Sequence, residues 1–249
     1  MSNVNVFNGC TFAVEDTNKS FHTYDSWGLY ITNTDCIGNP EQYKNYVTIP
    51  GRNGQLDLSD VLTDRPTYIS RPLKIELAGE RPKISWDSIM SYFRNQINGR
   101  ICKIVFDNDT QHYWRGRVNV NDFTSALRLG KFTVNVDAEP YKYDLRSSSE
   151  PWVWDTFNFE TDMITYHGAY TIDGTLDVTI SHGTMPVAPD FVVSNLVGNS
   201  ITMQYNGASY TLVSGSNYFA DVVVNDIHDV TLTFTGTGKV EIVYRGGSL

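Results

Sequence analysis

The stretch Ile101-Cys102-Lys103-Ile104-Val105-Phe106-Asp107-Asn108-Asp109-Thr110, continued by Tyr113-Trp114-Arg115-Gly116-Arg117-Val118-Asn119-Val120, decides the fold class. Ile101 to Phe106 is mostly apolar, Asp107 to Thr110 is rich in turn formers, and the second run is again strand-like. Residues 101–120 therefore predict an antiparallel hairpin. Residues 131–136 add a strand with Phe132, Val134 and Val136 on one face, and residues 69–78 alternate around Ile75 and Leu77. One segment between them has a helical period. Trp86, Ile89, Met90, Phe93 and Ile97 share a face of a helix predicted over 86–98, with Ser85 as its cap, Asp87 in its first turn and Gly99 at its end. The first half thus reads as a single helix embedded among antiparallel strands.

Pro140-Tyr141-Lys142-Tyr143-Asp144 closes the last of these strands, and the polar Ser147-Ser148-Ser149-Glu150-Pro151 has turn chemistry, so the expected domains are 1–145 and 146–249. Beyond the boundary no helical period is visible. Eight or nine short alternating runs, separated by Gly, Asn or Pro, predict an antiparallel β-sandwich. The Asn206-Gly207 pair suits a tight hairpin, and Gly236-Thr237-Gly238 reads as another hairpin turn between 230–234 and 239–244.

The composition agrees with a mainly β globule: 41% hydrophobic and 13% aromatic residues against 19% charged. The net charge of -9 is unevenly placed, with 17 basic and 17 acidic residues before Ser147 and only Lys239 and Arg245 against 11 acidic residues from there on. Neither half can neutralise a row of phosphates, which argues against nucleic-acid binding by counterion release. Cys10, Cys36 and Cys102 are odd in number and widely spaced, so free thiols are expected, without a disulfide framework or a zinc knuckle. The start has no signal-peptide order and no stretch is long enough to span a membrane, so synthesis in a reducing cytoplasm is expected, with no membrane anchor.

No catalytic constellation stands out. The five histidines, His22, His112, His167, His182 and His228, lack the paired spacing of a helical zinc site. His112 near Asp107 and Asp109 is read as part of a solvated turn, and the 107–111 run lacks the glycine and terminal glutamate of a calcium loop. There is no nucleophile elbow or phosphate loop. Trp152 and Trp154, with Glu160 and Asp162 nearby, are the one cluster that invites thoughts of sugar; packing inside the sandwich is the simpler reading, and stacking on a glycan is the alternative. The chain is expected to be no enzyme and to need no cofactor.

Tyr46-Val47-Thr48-Ile49-Pro50-Gly51-Arg52-Asn53-Gly54-Gln55-Leu56-Asp57-Leu58 is the most distinctive segment. Pro50-Gly51 and Asn53-Gly54 set consecutive turns between two strand-like pieces, presenting Arg52 at a bend. With 68–77, the hairpin 101–116 and the run from Gly130 to Tyr141, this half resembles the N-terminal domain of the siphophage distal tail protein family. The second half is similar to that family's galectin-like sandwich, chiefly through Gly236-Thr237-Gly238-Lys239-Val240-Glu241-Ile242-Val243-Tyr244-Arg245.

The resemblance implies a split-barrel-like, ring-forming first domain and a galectin-like second one. It further implies a homo-hexamer at the distal end of a long non-contractile tail, in the virion. Its partners would be the major tail tube protein, a tail-associated lysin or tip protein, and a receptor-binding protein or host cell-wall carbohydrate, with DNA passing through a central channel. Pro50, Gly51, Arg52 and Gly54 would then lie at a subunit interface, with Arg52 pairing either across it or with a carboxylate of its own subunit.

Overall fold

The computed structural model describes residues 8–249 apart from 62, 64, 127, 150–167, 225 and 226. Two compact units form, Met1–Lys142 and Tyr143–Leu249. The first contains β1 (Cys10–Val14), β2 (Lys19–His22), α1 (Thr23–Trp27), β3 (Tyr30–Ile31), β4 (Tyr46–Thr48), β5 (Gln55–Asp57), β6 (Arg71–Glu80), α2 (Lys83–Ile97), β7 (Ile101–Phe106), β8 (Asp109–Ala126) and β9 (Leu129–Ala138); β10 (Lys142–Asp144) follows at the division. The principal sheet runs β2-β1-β7-β8-β9-β6-β3, and every neighbouring pair along it is antiparallel.

The hairpin read from residues 101–120 is present, but β8 continues to Ala126 and pairs with β9 along most of its length. The helix occupies the expected place and starts earlier. It begins at Lys83, after Pro82, whose side chain makes no capping bond. Proline has a fixed φ and no N–H to satisfy, so a helix starts readily beside it, and Ser85 lies inside the first turn instead of capping it. At the other end Gly99 has φ 76°, and its N–H donates to the Val118 carbonyl at 2.7 Å. The Val120 N–H donates to Asn98 Oδ1 at 2.8 Å, so the helix end is tied to β8. A second helix, α1, has only five residues, too few for a periodic signal.

Trp86, Met90, Phe93 and Ile97 form the buried face of α2. The Phe93 ring meets Trp27 at 4.7 Å, Phe132 at 5.0 Å and Phe12 at 6.2 Å between centroids, joining α1, β9 and β1 in one core. Trp86 lies against the backbone of a cross-strand glycine pair, Gly79 and Gly130. A Cβ on Gly130 would come within 2.4–2.7 Å of the indole.

The second unit contains β11 (Ala169–Ile180), β12 (Asp190–Tyr205), β13 (Ala208–Leu212), β14 (Gly215–Tyr218), β15 (Val230–Val243) and β16 (Gly247–Ser248). Its sheet has the order β11-β15-β12-β13, with β14 also on β12. The many short strands expected here are instead a few long ones, and Gly236-Thr237-Gly238 is no hairpin turn. It lies within β15, where Gly236 pairs with Gly174, and the buried positions keep one parity on both sides of it. The Asn206-Gly207 hairpin is as expected, with φ of 48° and 80°.

The glycines mark a fold in the sheet. Gly174 and Gly236 have φ of 89° and 145°, and β12 breaks register between Ser194 and Thr202, with Asn195 and Gly198 also at positive φ. Phe191 pairs with Ile242, and Phe234 lies eight residues back along the same strand. In a flat sheet that separation is roughly 26 Å, yet the two rings stand 6.3 Å apart. The long strands therefore bend at the glycine line and their halves face each other as two layers, as strands do when they switch sheets through bulges. Ser148, placed by sequence in a polar stretch, is buried: its N–H and Oγ bond to the Tyr244 and Ile242 carbonyls, and Oγ accepts the Tyr244 N–H.

Two substitutions test these packings. Gly130→Ala should destabilise the first unit by about 1–3 kcal/mol by displacing Trp86, read as lost hydrogen-exchange protection in α2 and β9. Gly236→Val should loosen the second unit by a similar amount, about 1–3 kcal/mol, since a Cβ there meets Ile201 Cγ1 at 3.0 Å. Unchanged protection in either case would show that the close approach is not needed.

Candidate functional site

The segment 46–58 folds as a hairpin whose strands, β4 and β5, pair only with each other: Tyr46 with Asp57, Val47 with Leu56 and Thr48 with Gln55. Its base is a looser ladder. Ile37 bridges Leu73, Gln42 bridges Tyr68, and the Tyr43 N–H donates to the Thr67 carbonyl at 2.8 Å. The chain thus leaves the sheet beside β6, runs out to a tip and returns. Ser59 Oγ accepts the Asn45 N–H at 2.8 Å and donates to Asp57 Oδ1 at 2.6 Å, closing the neck. The Ser59 hydroxyl and the Ser59 N–H, both donating to Asp57, hold its carboxyl below its ordinary pKa.

Pro50, Gly51, Arg52 and Gly54 all sit at the exposed tip. Gly51 and Gly54 have φ of 83° and 81°, which explains a glycine at each position. The Arg52 N–H donates to the Ile49 carbonyl, and no described carboxylate forms an ion pair with its guanidinium. Trp152 and Trp154, together with Glu160, Asp162 and His167, lie outside the described residues.

The apolar character of this arm is what sequence reasoning missed. Ile37, Tyr43, Tyr46, Val47, Ile49, Val61 and Ile69 are each between 38 and 62% exposed. A run such as Tyr46-Val47-Thr48-Ile49 is indistinguishable by pattern from a buried strand. A hairpin of two three-residue strands is marginal alone, and here its apolar side chains are left exposed.

The other polar groupings are internally closed. Asp107 is engaged by the His22 ring at 3.1 Å and accepts the Gly9 N–H at 2.8 Å. Asp109 is held by His112 at 2.6 Å and Lys142 at 2.9 Å, so the two carboxylates of this turn serve different partners. Burial raises the Asp109 pKa, but these two bonds outweigh it and the net shift is down. Among the described residues no group of three or more His, Cys, Asp or Glu could hold a metal ion. Cys10, Cys36 and Cys102 are free thiols, and burial pushes the Cys102 pKa up to about 12. No described helix is long and apolar enough to cross a membrane.

Two ion clusters brace the principal sheet. Arg115 binds Glu15 through Nε and Nη2, at 2.8 and 2.9 Å, and also holds Glu139; the Arg115 hydrogen bonds lower the Glu15 pKa. Glu76 accepts from Lys131 at 2.7 Å and Lys74 at 2.9 Å, which lower its pKa from 4.5 to about 2. A carboxyl depressed in the folded state stabilises it above the unfolded pKa and loses that contribution as pH falls through the folded value. Stability of the first unit should therefore hold down to pH near 4.5 and decline toward 2, and Glu76→Gln should blunt the decline. Identical acid denaturation curves for the two proteins would exclude Glu76 as a contributor.

The first unit is thus an antiparallel sheet with one long helix and a separate hairpin arm, and the second is a sheet folded on itself. In fold the chain is similar to the SPP1 Dit (gp 19.1) protein, a paradigm of the hub adsorption apparatus in phages that infect Gram-positive bacteria. The two share 10% identity, with a TM-score of 0.61 over 96% of this chain and 98% of that one. The phage P2 baseplate in its activated conformation with Ca also aligns, at 10% identity and a TM-score of 0.39 over 98% of each chain. No protein-family model and no curated protein sequence matches the chain.

Proposed function

We propose that the chain is a distal tail protein of a long non-contractile phage tail, a structural hub without catalytic turnover. The observation that carries this reading is the likeness in fold to the SPP1 Dit protein across both units. Six copies form a ring at the tail tip, where the major tail tube protein meets one face and a tail-associated lysin or tip protein the other. DNA passes through the central channel, and receptor-binding components dock at the periphery.

The physical argument supports the same assembly. A closed ring needs a heterologous interface, in which one surface of each subunit meets a different surface of the next. The arm supplies one such surface, with apolar side chains and backbone edges that a neighbour covers. Arg52 at the tip pairs across the interface with an acidic group of the adjoining subunit. The first half carries balanced charge and tolerates close contact, while the acidic second half repels its copies and stays outward.

Mass photometry of the purified chain should show a species of six 28.1 kDa copies, about 169 kDa, appearing as a ring by negative stain. A protein that stays at 28.1 kDa well above micromolar concentration, and binds no tail component, would overturn the reading. Arg52→Ala should reduce the ring fraction while leaving monomer stability within about 0.5 kcal/mol. An unchanged ring fraction removes Arg52 from the interface.

A further inference from the structure

Arg71 opens β6 opposite Ala138 of β9 and shares the buried parity of Leu73, Ile75 and Leu77. It is only 7% exposed, an unusual position for a guanidinium. Its Nε is buried and has no hydrogen-bond partner, and no described carboxylate forms an ion pair with it. Two other arginines of this unit are matched to acids, Arg100 to Asp16 and Arg115 to Glu15 and Glu139. Arg71 instead lies over the Trp114 ring, 4.8 Å from its centroid.

The stacking offsets part of the cost of withdrawing the charge from water, but it supplies no acceptor for the N–H groups. Burial pushes the Arg71 pKa below its ordinary value, yet a guanidinium remains charged at neutral pH. The surroundings are aromatic: Tyr68, close enough to act on Arg71 electrostatically, meets Tyr141 edge to face at 6.2 Å. Tyr68 also bridges Gln42 at the root of the arm, so Arg71 sits beside the surface proposed above to meet a neighbour.

We propose that Arg71 is the receptor of a carboxylate-binding recess, floored by Trp114, that takes an acidic side chain from a second copy of this chain. A carboxylate matches the planar fork in a bidentate pair and supplies the missing charge. With 28 acidic residues against 19 basic ones, a neighbouring copy has acids to offer. The choice of a second copy as donor rests on the ring reading; the recess itself does not.

Thermal unfolding of the full chain in sodium acetate and in sodium chloride, at equal ionic strength, reads the recess directly. Acetate should raise the midpoint by roughly 2 °C. Arg71→Met should abolish that difference and raise the midpoint in chloride, because it keeps much of the stem's volume without an unpaired charge. Arg71→Lys keeps the charge, loses the fork and should retain only part of the acetate effect; it carries the test if the methionine variant does not fold. Equal wild-type midpoints in the two salts, or an undiminished acetate effect in the variants, would overturn the proposal. Mass photometry separates the donors: self-association weakened about 30-fold or more by Arg71→Met places the acid on a second copy. Unchanged assembly overturns that donor. A wild-type chain that stays at 28.1 kDa yet responds to acetate ends the ring reading and leaves the recess standing.

Discussion

Phe93 is the side chain on which the first unit turns. Its ring stands among Trp27, Phe132 and Phe12, which belong to α1, β9 and β1. Burial of this face holds α2 on the sheet, and the glycine pair at 79 and 130 lets the Trp86 indole lie directly on the backbone. The helix then ends on β8 through Asn98 and Gly99. With the centre fixed in this way, the short outer strands and the arm can be held by backbone hydrogen bonds although they contribute little apolar burial of their own.

The second unit solves a different problem with a similar device. A long antiparallel sheet has one apolar face to cover, and here the sheet covers itself. Gly174 and Gly236 meet in register at the bend, and β12 takes up the mismatch between Ser194 and Thr202. Phe191 and Phe234 come together only because of that bend. Few connections are needed, since the same strands build both layers.

In the described residues most polar chemistry of the first unit is spent internally. Carboxylates near histidines or lysines are already engaged, and the thiols are raised in pKa by burial. Among what stays open in the first unit are the apolar arm, the Arg52 tip and Arg71, whose Nε has no acceptor. The proposed ring would give the arm, Arg52 and Arg71 a neighbouring chain to meet.

Sequence alone determined the β class, the central hairpin at Ile101–Phe106 and beyond, the principal helix, the Asn206-Gly207 turn and the double turn around Arg52. All of these are written in local chemistry: alternation, turn residues and the 3.6-residue period. Gly236 could not be placed in this way, because a glycine between two alternating runs looks the same whether the chain reverses or merely bends; only pairing with Gly174 decides. Nor could the exposure of Tyr46, Val47 and Ile49 be read, since an apolar alternation does not say whether anything covers it. Arg71 did carry a local sign, a charge on the core-facing parity of β6, but its lack of an acid partner among the described residues is a property of the assembled sheet. Local patterns fix what a segment can form, and long-range pairing and burial fix what each side chain ends up facing.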